Sequence, residues 1–193
     1  AVAPPSAAAA LAPVARTPAA GAATMAERAA QMRKVIGAAM ARSKREIPHY
    51  YLAEDVPLGA ATDWLPRRNA ARPVTERLLL APLLLKAVAA ALRRYPEFNG
   101  FCRDGAFAPA DGIHIGMAIS LRAGGLVTPA LLDVDRKDVE QVHRELLDLV
   151  ARARAGSLKS SELSAGTITV TSLGDQGVGS VFGVIYPPQV AIV

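Results

Sequence analysis

Cysteine is all but missing from this sequence: Cys102 stands alone among 193 residues. One thiol cannot form an intramolecular disulfide or a cysteine-only metal site, and such usage fits a reducing compartment. Its neighbours Phe101 and Arg103 give no reason to read it as a nucleophile, so a packed or surface thiol is expected and no metal site is assigned. Long apolar runs are missing too. The longest, over 78–92, is broken by Lys86 and falls short of the ~18 residues that a membrane span needs. The opening AVAPPSAAAALAPVA has neither a basic start nor a compact apolar segment, which argues against a signal peptide. Aromatic residues are scarce at 5%, and none interleave with the basic residues near the start, so nucleic acid is a poorly supported partner. An initiator methionine is absent as well, from which a processed chain or a piece of a longer one is expected. A soluble, cytoplasmic protein is what these absences leave.

What is present divides in two. Residues 1–24 are alanine and proline with scattered Ser, Thr and Gly, and prolines at 4, 5, 13 and 18 interrupt any helix. With almost no large side chain to bury, this stretch reads as an extended, flexible linker. Residues 25–193 read as one domain. A helix is expected over 25–46, where Met25, Ala29, Met32, Ile36 and Ala39 form one apolar stripe, with Thr24 as N-cap and Glu27 completing a capping box. Six bases face two acids over 26–47, a local +4 out of a formal +5. A phosphate-bearing ligand or an acidic partner could use that charge, and a solvated helix face explains it equally.

Further helices are expected over 60–69, with Trp64 as a packing anchor, over 78–95, with Pro82 tolerated only in the first turn, and over 136–155 behind Asp135 as cap. The apolar residues of 78–95 run nearly all round, which implies burial on more than one side. On the last helix Val139, Val142, Leu146, Leu149 and Ala153 form the buried stripe, Glu140–Arg144 and Asp148–Arg152 are candidate ion pairs, His143 reads as surface, and Gly156 ends it. Strands are expected at 49–57, 113–121, 126–134, 167–173, 181–186 and 190–193. Strands interleaved with helices in this way give an α+β fold, a two-layer sandwich of helices on a mixed β-sheet.

The most informative stretch is 166–183, GTITVTSLGDQGVGSVFG. Ile168 and Val170 alternate with Thr169 and Thr171 in a strand pattern, and Gly174, Gly177, Gly179 and Gly183 follow within ten residues. Two hydroxyls, Thr171 and Ser172, sit where strand meets loop. A hydroxyl fixed there can donate to a developing oxyanion, which needs rigid placement rather than acidity. A hairpin with threonines on its wet face accounts for the same pattern. His49, between Pro48 and two tyrosines, is either a base, a channel residue or a half-buried hydrogen-bonding partner.

TVTSLGDQGVGSVFGVIYPPQVAI over 169–192 resembles the strand-loop-strand segment of the dihydrolipoamide acyltransferase components of 2-oxo acid dehydrogenase complexes. Four other blocks match in the same order: RKVIGAAMARSKREIPHYYL, LLLKAVAAALRRYPEFNG, GLVTPALLDVDRKDVEQV and ARARAGSLKSSELSAGTITV. The resemblance implies a chloramphenicol acetyltransferase-like fold and transfer of an acyl group from a dihydrolipoamide thioester to coenzyme A. It places the oxyanion donor on Thr171, with Ser172 beside it, and gives His49 a substrate-binding role near the channel. It implies a lipoyl group carried on another domain, partnership with other subunits of such a complex, and assembly as a homotrimer or a multiple of three. The family's His-x-x-x-Asp-Gly motif, which carries the catalytic base, does not occur in these 193 residues. The acyltransferase domain at 25–193 is therefore expected to be incomplete at its C-terminus. A non-catalytic scaffold or assembly module with the same fold is the alternative. The Arg122–Gly125 loop also departs from the Pro-Asp-Gly of many relatives.

Overall fold

The computed structural model describes residues 25–121, 125–173 and 179–193. The linker expected over 1–24, Thr24 as helix cap, and Gly174 and Gly177 of the glycine loop lie outside them. Helix α1 (Met25–Glu46) comes first, followed by α2 (Gly59–Asn69) and α3 (Leu80–Arg94). On α1 Met32, Ile36 and Ala39 are half-buried and Ser43 fully buried, so this part of the apolar stripe read from sequence lies on the face that packs, with Ser43 continuing it. Pro82 is the third residue of α3, where a missing N–H removes no intrahelical bond.

Seven short strands follow among the described residues. β1 (Gly100–Arg103) and β2 (Ala106–Pro109) form a hairpin closed by Asp104 and Gly105, both left-handed. β3 (Ile115–Met117), β4 (Ile119–Ser120), β5 (Leu126–Val127) and β6 (Ala130–Leu131) replace the two longer strands expected over 113–134. They are nevertheless one antiparallel ribbon, because Ile115 opposite Leu131 and Ile119 opposite Val127 belong to the same register. The ladder breaks between them where Pro129 has no N–H to give, while the Ala118 N–H turns to Val170 O at 3.0 Å on the other side. β7 (Ile168–Val170) pairs in parallel with β3, so the sheet β6-β3-β7 is mixed. Residues 190–193 extend it: Thr171 N–H donates to Val193 O (2.7 Å) and Val193 N–H to Thr169 O (3.0 Å).

Two helices cover this sheet. α3 contributes Leu85, Ala89 and Leu92, α4 (Val139–Ala155) contributes Val142, Leu146 and Leu149, and the sheet contributes Ile115, Leu131, Ile168 and Val170 to one core. Each side chain of that size is worth about 1.5–3 kcal/mol when removed from water, which makes this layer contact the main source of stability. The expected α+β two-layer arrangement is present. A short helix α5 (Ser160–Ser164) leads into β7, held to α4 by Arg152, which bonds both Asp148 (2.7 Å) and Glu162 (2.6 Å).

Several expectations need correction. Residues 49–57 and 181–186 join no ladder among the described residues; in the second segment side chains, not a neighbouring strand, take the backbone groups of Ile185. Trp64 is not an anchor: it is 36% exposed on a helix with no buried residue. Polar tethers hold α2 instead, the Asn69 amide pairing with both backbone groups of Leu78 and Arg68 with Glu140. α3 buries one stripe only, and Ala87 and Ala91 are exposed. A 3-10 turn over Val134–Arg136 takes up Asp135, so α4 is capped by Asp138, which accepts the Gln141 N–H at 2.6 Å. Glu140 pairs with Arg68 (2.6 Å) and Arg72 (3.1 Å) rather than with Arg144. His143 is buried, at 4% exposure, not on the surface.

Candidate active site

An open groove of about 1600 Å³ runs between the end of α1, the outer face of α3 and residues 180–193. Its walls explain why α3 reads as apolar all round: Ala87, Val88 and Ala91 face the groove while Leu85 and Ala89 face the core. Of the three histidines only His49 lines it, and of the two hydroxyls at the strand end only Thr171 does.

Thr171 is placed by the sheet. β7 is buried along its length, and its end is fixed through the Thr171 N–H bond to Val193. One residue earlier, Thr169 faces the interior rather than water: its Oγ1 donates to Gln189 Oε1 (2.7 Å), whose amide donates to Gly166 O (2.9 Å). That closed pair locks 166–171 to 189–193. The Thr171 side chain is half-buried at the groove edge, and no hydrogen bond of its hydroxyl is found among the described residues. Ser172 is exposed and does not border the groove. A donor at a strand end fixed by backbone bonds, in a partly water-excluded cleft, is what stabilising a tetrahedral oxyanion requires.

His49 lies across the groove wall. Its Nδ1 is 2.9 Å from Ile47 O, and its Nε2 accepts the Ile185 N–H at 3.0 Å. The ring stacks on Tyr51 (5.9 Å between centroids), which meets Phe182 edge-on at 5.4 Å. Lys44 donates to the Tyr51 hydroxyl at 2.5 Å, and Arg42 pairs with Glu46, so the basic end of α1 rims this wall. Sequence reading missed Ser43, whose Oγ donates to Ile185 O at 2.6 Å. The available signal was its spacing, seven residues after Ile36 on the apolar stripe, where a polar residue has to find a buried partner.

The other polar clusters lie off the groove. His114 Nδ1 accepts the Asp133 N–H at 3.0 Å, and Thr167 donates to Asn99 Oδ1 at 2.6 Å within the interior. The Arg68 hydrogen bond, aided by Arg72, holds the Glu140 carboxyl below its ordinary range, and the Arg152 hydrogen bond does the same for Glu162. Burial, with Arg72 and Arg144 nearby, pushes His143 down. Cys102 is exposed. Among the described residues no group of three or more His, Cys, Asp or Glu is placed to hold a metal ion, and no helix is long and apolar enough to cross a membrane.

The model of the 2-oxoacid dehydrogenases acyltransferase (catalytic domain) family matches residues 22–193. The chain belongs to this family. The dihydrolipoyllysine-residue acetyltransferase component of the pyruvate dehydrogenase complex of Rhizobium meliloti (strain 1021) is 32% identical over 166 residues, covering 83% of this chain and 37% of that protein. The chain thus spans well under half the length of such a relative. A structure of Azotobacter vinelandii dihydrolipoamide acetyltransferase, determined to define the role of a serine, a histidine and an asparagine in its catalytic mechanism, superposes with a TM-score of 0.78 at 28% identity. It covers 84% of this chain and 68% of that one. The cubic core of the pyruvate dehydrogenase multienzyme complex matches with the same figures. The acyltransferase catalytic domain therefore has the chloramphenicol acetyltransferase-like fold expected from sequence, and the groove, Thr171 and His49 are features of a domain of this family.

Proposed function

We propose that this domain is the acyltransferase core of a 2-oxo acid dehydrogenase complex, moving an acyl group from a dihydrolipoamide thioester to the thiol of coenzyme A. The observation that carries this reading is Thr171, held rigidly by β7 and Val193 with its side chain on the groove. Thiolate attack on the thioester carbon gives a tetrahedral oxyanion; collapse expels the other thiolate. Thr171 Oγ1 donates to that oxyanion, and the apolar wall from α3 excludes water from the thioester. Ser172, exposed beside it, is the weaker candidate.

The attacking thiol needs a base. His143 and His114 do not line the groove, and both nitrogens of His49 are engaged. The family resemblance assigns the base to the histidine of the His-x-x-x-Asp-Gly motif, which these 193 residues do not contain. The lipoyl group arrives on another domain, residues 1–24 serve as the linker toward it, and the assembly is a trimer or a multiple of three in the cytoplasm. A second reading, a non-catalytic assembly module, is favoured by the same lack of a free histidine in the groove.

Acyl transfer from acetyl-coenzyme A to dihydrolipoamide decides between them. The 193-residue chain alone should show no measurable transfer. Joined to the C-terminal part of an active relative it should gain activity, and Thr171→Val in that chimera should lower turnover ~100–1,000-fold with folding intact. An inactive but folded chimera supports the assembly module. If Ser172→Ala carries the loss and Thr171→Val does not, the donor is the neighbouring residue.

A further inference from the structure

We propose that His49 is a positioning residue, acting with Ser43 as a two-point clamp on the backbone of Ile185 that fixes the Thr171 end of the groove. This differs from the substrate-binding role that the family resemblance implies. Its consequence for acyl transfer rests on Thr171 being the oxyanion donor; the clamp itself does not.

The hydrogen bonds admit one arrangement. Ile47 O can only accept, so His49 Nδ1 carries the proton. The Ile185 N–H can only donate, so Nε2 carries a lone pair. Ser43 Oγ gives its proton to Ile185 O at 2.6 Å, and therefore does not compete for Nε2, which lies 3.4 Å away. Both backbone groups of Ile185 are thus satisfied by side chains more than 130 residues earlier in the chain, in a segment that has no strand partner among the described residues. Ser43 is 1% exposed and the imidazole is stacked on Tyr51, so neither end of the clamp is free to swing. With both ring nitrogens in use, His49 has no lone pair for a thiol proton and no N–H for a ligand.

The clamp reaches Thr171 through contacts. A Cβ built on Gly183 would lie 2.9 Å from Ile192 Cδ1, so the clamped segment runs close against the Ile192 side chain. Ile192 bridges to Thr169, and Val193 O accepts the Thr171 N–H. Loosening Ile185 removes the support on one side of that strand, and the Thr171 hydroxyl loses its fixed place.

Nitrogen NMR of the 15N-labelled chain tests this without any catalytic assay. In the neutral His49 ring the proton should sit on Nδ1 alone. Hydrogen exchange at the Ile185 amide should quicken roughly five- to tenfold in His49→Phe, the effect of losing one hydrogen bond, and exchange at Thr171 and Val193 should quicken with it. His49→Gln, which keeps an acceptor at similar reach, should stay within about twofold of wild type. A proton on Nε2, exchange unchanged in His49→Phe, or quickening confined to Ile185 would overturn the proposal. So would His49→Gln behaving like His49→Phe. If His49→Phe does not fold, the wild-type tautomer and His49→Gln decide the matter. Failure here would leave the acyltransferase reading untouched, and the reverse holds as well.

Discussion

Replacing His143 with leucine should make this protein more stable, and most of all in mild acid. The imidazole is 4% exposed and neither ring nitrogen has a hydrogen-bond partner among the described residues. A neutral imidazole carries one donor and one acceptor, and each buried polar group without a partner costs about 1–3 kcal/mol. Leucine removes both at similar volume, with up to ~1.5 kcal/mol lost to imperfect fit. The net gain at pH 8 should be about 2 kcal/mol, or roughly 4–8 °C in Tm for a domain of this size. Acid enlarges the difference. Burial, then Arg72 and Arg144, hold the folded-state value of His143 below its ordinary 6.5. As pH falls the unfolded chain takes the proton first, so the native state keeps its full stability above pH 6.5 and loses it as pH falls toward the folded value. The loss is at most about 1.4 kcal/mol per pH unit. Glu140 and Glu162 have folded values below 4.5, so their stabilisation is present above 4.5 and is lost only at lower pH. Urea unfolding of wild type and His143→Leu at pH 8, 6.5 and 5 isolates the residue, because other groups cancel in the difference. A variant less stable than wild type at pH 8 by more than about 1 kcal/mol, or a difference that does not grow between pH 6.5 and 5, would refute the reasoning.

Lys86→Met should destabilise the fold by about 2–3 kcal/mol, read as a lower urea midpoint, because the ammonium bonds three backbone oxygens, those of Val134, Asp135 and Lys137, that would lose their partner together. Gly125→Ala should cost about 1–3 kcal/mol, since Gly125 has φ +104 and a Cβ there would collide with Met32 Sδ; adding Met32→Ala should recover part of the loss and leave the backbone share. Glu162→Gln should cost only about 1 kcal/mol or less, because Arg152 keeps Asp148 and the pair is partly exposed.

The layer arrangement was legible because it follows from period alone. The stripe on α4, the described part of that on α1, and the apolar residues Ile168 and Val170 correspond to faces that pack. Where reading failed, a contact distant in sequence had overridden a local rule. Glu140 and Arg144 have ideal helical spacing, yet Arg68 and Arg72 approach from α2 and its loop and take the carboxylate. His143 reads as surface because no Asp-Gly follows it at the spacing of the family motif, which says nothing about packing. Its burial depends on elements packed against α4 from elsewhere, and one residue's rotation on a helix is enough to move it inside. Residues 49–57 have strand composition, but composition cannot say whether a neighbouring strand is present to pair with.

The site divides along the same line. The strand end that carries Thr171 and Ser172 was legible because what marks it is local: β-branched alternation, hydroxyls at the strand end, and glycines after them; the preference for Thr171 came from the family resemblance. The groove was not, because its walls come from 47–54, 87–95 and 180–193, and no short pattern links them. Even so, α3 carried a trace of it. A helix packed on one side only should show polar residues on the other, yet Ala87, Val88 and Ala91 continue the apolar surface round to the exposed face. The sequence was read as a helix buried on two sides, but only one of those sides is protein core. The other is apolar because it faces the groove, and walls of binding clefts are predominantly apolar. An unexplained second apolar face on a central helix is therefore a reason to look for a binding groove beside it, and here that groove leads to Thr171.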